Sequence, residues 1–174
     1  IGILAGRYPS RSTTLLEQST YVTHALPGIV IAISMVFLGV RLLEPIYLRT
    51  PLLLIAYVAL FLPVAVGSIR SAAEQIPDSL DEVSRSLGLS QWGIVRRVTL
   101  PLLAPGLLSA GALVMLAGMK ELPATMLLRP TGSDTLATRL WTYTSVSDYA
   151  GAGPYALAII VFVSIPTAIA SRRL

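Results

Sequence analysis

The sequence contains no cysteine and a single histidine, His24, and only 13% of its 174 residues carry charge. Without cysteine there is no disulfide framework and no thiolate-bound metal. One histidine and scattered carboxylates do not make a set of metal ligands, and a lone histidine beside an apolar run is read as structural. No Gly-rich phosphate loop ending in Gly-Lys-Ser/Thr is visible, so no cofactor or nucleotide site is expected in this chain. The shortage of charge is the most telling. Soluble domains average about 25% charged residues, so this surface is too poor in charge to face water on all sides. The net charge of +4 is therefore no sign of nucleic-acid binding, because basic residues of membrane proteins collect in cytoplasmic loops. A basic start, apolar centre and small-residue cleavage site are also missing. The chain starts at Ile1, and Ile1–Ala5 reads as the tail of an earlier apolar segment. An N-terminally truncated piece of a longer polypeptide is expected.

What is abundant is apolar sequence: 54% of residues are hydrophobic and the mean hydropathy is +0.73. Charges are absent from Thr50–Ile69, Val98–Met119 and Tyr149–Ser171. Each gap is long enough to cross ~30 Å of hydrocarbon, which takes about 20 apolar residues as a helix. A fourth run, Ala25–Val40, reaches that length if Leu42 and Leu43 extend it and Arg41 snorkels. The predicted fold class is all-α, a multi-pass transmembrane helix bundle in the lipid bilayer, organised as one domain over residues 1–174. Spans are predicted over Ala25–Leu43, Thr50–Ile69, Leu100–Met119 and Tyr149–Ala170. Arg7 and Arg11, then Arg70, Arg85, Arg96 and Arg97, then Arg172 and Arg173 fall on one side of this alternation, which the bias of basic residues makes cytoplasmic. Small residues in the third span, Gly106, Ser109, Ala110 and Ala117, are read as close helix packing.

The predicted cytoplasmic loop, residues 70–99, is long for a bundle connection, which usually takes about 2–8 residues. It is also patterned. Ser79-Leu80-Asp81-Glu82 after Pro77 reads as a capping box, in which the Ser79 hydroxyl and Glu82 carboxylate satisfy free N–H groups at a helix start. Leu80, Val83 and Leu87 recur on one helical face. Gly88 suits a left-handed helix end. Ser90 is placed to cap a second short helix carrying Trp92, Ile94 and Val95, closed by Arg96 and Arg97. Leu100-Pro101 then turns the chain back into the membrane. The expectation is a helix–Gly turn–helix knob with an apolar face.

Glu82-Val83-Ser84, Gly88 and Val98-Thr99-Leu100-Pro101 resemble the "EAA" loop of ABC importer permeases, whose pattern is Glu-Ala-Ala, three residues, Gly, nine residues, Ile, any residue, Leu-Pro. Both spacings match. The departures are Val83 and Ser84 for the alanines and Val98 for the isoleucine, all small or apolar. The resemblance implies a bacterial inner-membrane permease, without catalytic chemistry, whose loop inserts into a cleft of a dimeric cytoplasmic ABC ATPase that binds the ATP. It implies that Gly88 sets the bend, that Leu80, Val83, Leu87 and Trp92 fill the cleft, that Glu82 and Arg85 make rim contacts, and that Leu100 and Pro101 mark re-entry. Leu80 has a second reading, packing against the chain's own spans.

Lys120-Glu121-Leu122-Pro123-Ala124-Thr125, Leu127-Leu128-Arg129-Pro130 and Thr135-Leu136-Ala137-Thr138-Arg139, with His24-Ala25-Leu26-Pro27-Gly28, are similar to ferric-iron importer permeases. Thiamine, phosphonate and polyamine permeases share parts of this pattern. The resemblance implies a second partner, a periplasmic binding protein that captures the substrate. Lys120, Glu121, Arg129 and Arg139 form a candidate outer gate, since ionisable residues at membrane depth often mark a pathway. The competing reading has Lys120 and Glu121 at the interface, anchoring a turn at Pro123. A membrane-embedded enzyme would need a nucleophile with a base. The spans offer Ser34, Ser109 and Ser164 but no charged or histidine partner within them.

Overall fold

The computed structural model describes residues 1–7 and 10–171, with side chains to residue 164. Among these residues all regular structure is helical. The helices are α1 Gly2–Arg7, α2 Arg11–Val22, α3 Gly28–Arg41, α4 Thr50–Glu74, α5 Ser79–Ser86, α6 Gln91–Ile94, α7 Leu100–Met119, α8 Pro123–Leu128, α9 Leu136–Ser145 and α10 Tyr149–Ser171. Arg172 and Arg173, counted above as orienting charges, lie outside the described residues.

Two predicted spans become long apolar helices. These are α4, at 25 residues, and the run Gln91–Met119, at 29 residues, which contains α7. The limits of α7 are those expected. By contrast α4 runs on to Glu74, so the segment expected as loop from Arg70 begins inside a helix. The predicted first span is shortened. α3 has 14 residues, about 21 Å at 1.5 Å per residue, which does not by itself cross the hydrocarbon. The reason is Pro27, which is extended (φ −58°, ψ 139°) at the helix start and biases Leu26 out of the α region. The residues before it form a separate 3₁₀ turn, Thr23–Ala25. α4 and the run Gln91–Met119 are long and apolar enough to cross a membrane, α3 is so only if counted with the helix before it, and α10, 23 residues over Tyr149–Ser171, matches the fourth span expected to within a residue.

The chain forms two compact units: Ile1–Val22 with Pro63–Leu113, and Thr23–Leu62 with Val114–Leu174. In the first, Ala73, Ile76 and Leu103 form a buried cluster with Ile3, Ala72, Leu80 and Leu107 packed on it. Close approach depends on glycine. A Cβ on Gly106 would fall 2.3 Å from the Cβ of Ala72, and one on Gly6 would fall 2.8 Å from the Cβ of Ala73. α7 and α1 thus lie nearly backbone-to-backbone on the last turns of α4, as small-residue packing allows.

In the second unit, Leu52, Ala56 and Leu128 form the core, with Met35, Val36, Ile46, Tyr47 and Leu53 around them. α9 packs on α10, where the Tyr143 and Tyr155 rings stack with centroids 5.5 Å apart. That arrangement falls within the favourable range for offset aromatic pairs.

Candidate functional site

The patterned loop folds as a helix, a glycine turn and a second helix. Its first helix does not start as the capping-box reading expects. Asp78, not Ser79, is the N-cap; it is itself helical (φ −64°, ψ −26°) and makes no side-chain cap bond. A capping box needs an extended cap residue whose hydroxyl turns back on the first turn, and Ser79 is already inside the helix. Backbone carbonyls take over that role. Pro77 accepts from the Leu80 N–H at 3.2 Å, and Asp78 accepts from the Asp81 N–H at 3.0 Å. Glu82, released from capping, is exposed.

The expected apolar stripe is divided. Leu80 packs on the Ala73/Ile76/Leu103 cluster, so its reading as a residue packed on the chain's own helices holds. Val83 and Leu87 point away from that cluster and are 55% and 76% exposed. The inward face of α5 is completed by polar side chains, Asp81 and Ser84, both buried. Ser84 Oγ donates to the Leu80 carbonyl at 2.6 Å. Asp81 meets Arg7 at 2.7 Å.

Gly88 has φ +80°. Its N–H donates to Arg85 O at 2.9 Å, and the Leu89 N–H donates to Ser84 O at 3.1 Å. These two bonds are the Schellman closure expected of a left-handed glycine. Ser90 then caps α6, its Oγ accepting from the Gly93 N–H at 3.3 Å. Trp92 stands 73% exposed on this helix, beside an open hollow of about 650 Å³ bordered by Arg96 and Arg97. The second helix does not close at Arg96 and Arg97. A π-helical turn, Val95–Thr99, joins α6 to α7 without a break, and the Leu100 N–H bonds to Val95 O. Pro101 lacks an N–H for the ordinary ladder, and a π turn next to it is a known way to absorb the mismatch. Leu100 and Pro101 therefore sit in a continuous helix and make no turn.

The 120–139 segment is built differently from the predicted gate. Glu121 Oε1 accepts from the Ala124 N–H at 3.0 Å, and the Glu121 carbonyl accepts from Thr125 Oγ1 at 3.0 Å. Thr125 is fully buried and shares a short hydrogen bond with the Tyr57 hydroxyl of α4. Glu121 thus anchors the start of α8 at Pro123. Arg129 and Arg139 do not meet it; both pair with Asp134, Arg139 at 2.7 Å. Thr135 caps α9 reciprocally with Thr138: Thr135 Oγ1 accepts from the Thr138 N–H at 3.2 Å, and the Thr135 N–H donates to Thr138 Oγ1 at 2.8 Å. Lys120 borders a hollow of about 360 Å³ with Leu122, Leu140 and Trp141. Among the described residues, Arg129 and Arg139 share Asp134, and no ion pair links either of them to Glu121. Asp134, which organises two of the predicted gate residues, stands five residues from each arginine, a spacing that was available in the sequence.

Ser34, Ser109 and Ser164 each donate to the carbonyl four residues earlier. No group of three or more His, Asp or Glu side chains that could hold a metal is present among the described residues.

The profile of the binding-protein-dependent transport system inner membrane component family matches residues 1–172. The chain belongs to that family. It is 41% identical over 162 residues to the Fe(3+)-transport system permease protein FbpB 2 of Haemophilus influenzae, covering 93% of this chain and 32% of the relative. It is 26% identical over 156 residues to a putative 2-aminoethylphosphonate transport system permease protein, PhnV, of Salmonella typhimurium, covering 88% and 58%. The chain thus spans between a third and three-fifths of the length of these relatives. The fold matches a solved structure of the MetNI methionine ABC transporter in inward-facing conformations, with a TM-score of 0.75 over 98% of this chain and 80% of that one, at 18% identity. The all-α membrane fold and the permease family agree with the sequence reading, and the iron-type resemblance agrees with the 41% identity.

Proposed function

We propose that this chain is part of the multi-pass permease of an ATP-driven bacterial importer, and that its α5–Gly88–α6 knob docks a dimeric cytoplasmic ATPase. The observation that carries the reading is the pairing of the importer-type spacing from Glu82 to Pro101 with exposed Val83, Leu87 and Trp92 around a closed glycine turn. Apolar side chains this exposed are normal singly. Grouped on one short knob, they suit a partner's cleft. Glu82 and Arg85, both exposed, supply the rim contacts. ATP is bound by the partner, and a periplasmic binding protein delivers the substrate.

The substrate is ferric iron, supported by 41% identity to a ferric permease against 26% to the phosphonate type. Membrane vesicles carrying the complete permease, its ATPase and its binding protein should accumulate labelled ferric iron only when ATP is added. Accumulation of 2-aminoethylphosphonate instead would overturn the substrate. ATP-independent uptake would overturn the mechanism.

A further inference from the structure

Arg7 is a cation with a side chain only 2% exposed, and its partner Asp81 is 10% exposed. The pair is 2.7 Å apart, and a second Arg7 nitrogen donates to the Ile76 carbonyl at 3.1 Å. Burying an ion pair is costly, and it contributes little net stability compared with apolar packing of the same shape. What it does supply is direction, because a guanidinium fork bonds only along fixed lines. The two ends of this fork are informative. One lies on α5, next to Glu82 of the docking knob. The other lies on the turn that follows α4. Arg7 itself belongs to α1, which is pressed on α4 where Gly2 approaches Val66 O and Gly6 approaches Ala73. α4 is also tied to α2, since Arg70 pairs with Glu17 as well as with Glu74 of its own helix.

We propose that the Arg7–Asp81 pair is the positioning link through which a displacement of the docking knob reaches α1 and the end of α4. This rests on the docking reading above. α5 has only Leu80 as an apolar anchor in the core cluster, so without the pair the knob can rock on that contact while its outer face stays intact. Docking and transmission are then separable. Asp81→Asn removes the charge while leaving Val83, Leu87 and Trp92 untouched.

The test is the number of substrate molecules moved per ATP hydrolysed, measured in vesicles with the complete permease and its ATPase. A merely structural role lowers the amount of protein and leaves that ratio alone. Asp81→Asn should keep ATPase retention within about twofold of wild type and cut the ratio by about fivefold or more, the scale of ordinary intersite coupling. Arg7→Lys retains the cation but loses the fork. It serves where Asp81→Asn fails to insert, and should give a smaller loss of the same kind. An unchanged ratio in inserted protein would overturn the proposal, and so would transport losses that only follow lost ATPase. A wild-type permease that holds no ATPase would instead bring down the docking reading itself.

Discussion

Gly88 shows how one residue sets the geometry of the knob. At φ +80° it occupies a region that costs an L-residue about 1–2 kcal/mol. Nothing lies within 4 Å of where a Cβ would stand, so the cost of a side chain there is conformational and not steric. Gly88→Ala should loosen the closure and speed hydrogen exchange at the Leu89 amide, which donates to Ser84 O, by about tenfold. An unchanged rate would mean that the left-handed turn is not what closes α5. The glycine was legible in the sequence because left-handed helix ends select for it. The inward face of α5 was not. Periodicity assumes that apolar residues point in, whereas Asp81 and Ser84 are the buried ones. Asp81 is paired there with Arg7, a residue far away in sequence that local pattern treats as a loop charge, and Ser84 turns its hydroxyl onto the Leu80 carbonyl.

Among elements, agreement is best where one property decides. α7 has the expected limits because its sequence is apolar throughout, and Pro105 inside it does not end the helix. α3 is shorter than its apolar run because Pro27 overrides hydropathy at the start. The π turn at Val95–Thr99 is not legible in the sequence because Leu-Pro reads as a break, while the backbone can add a residue to one turn and continue. α8 offers a direct test of how Glu121 is used. Its carboxylate accepts from the Ala124 N–H, a task the amide oxygen of Gln can also perform. Glu121→Gln should therefore leave transport within about twofold, and Glu121→Ala should destabilise the α8 turn by about 1 kcal/mol. Thermal denaturation of the solubilised permease and an uptake assay together measure both. A tenfold or greater loss of transport in well-inserted Glu121→Gln would instead support a gate role.

For the molecule as a whole, the membership of an inner-membrane transport family and the MetNI-like fold give the frame, and the proposed docking knob is the part of it open to a direct test. Leu80 and Trp92 lie on the same short segment but in different surroundings: one is set on the core cluster, the other 73% exposed. If the knob docks an ATPase, truncating them must have different consequences. Interface aromatics of this kind typically cost about 2 kcal/mol or more on truncation, or roughly 30-fold in affinity. A partly buried core leucine costs fold stability instead. The deciding measurement is the amount of ATPase that co-purifies with the complete permease in its wild-type, Leu80→Ala and Trp92→Ala forms, normalised to inserted protein. The account predicts wild-type retention for whatever Leu80→Ala protein inserts, and about 30-fold weaker retention for Trp92→Ala. Full ATPase retention by well-inserted Trp92→Ala would contradict it.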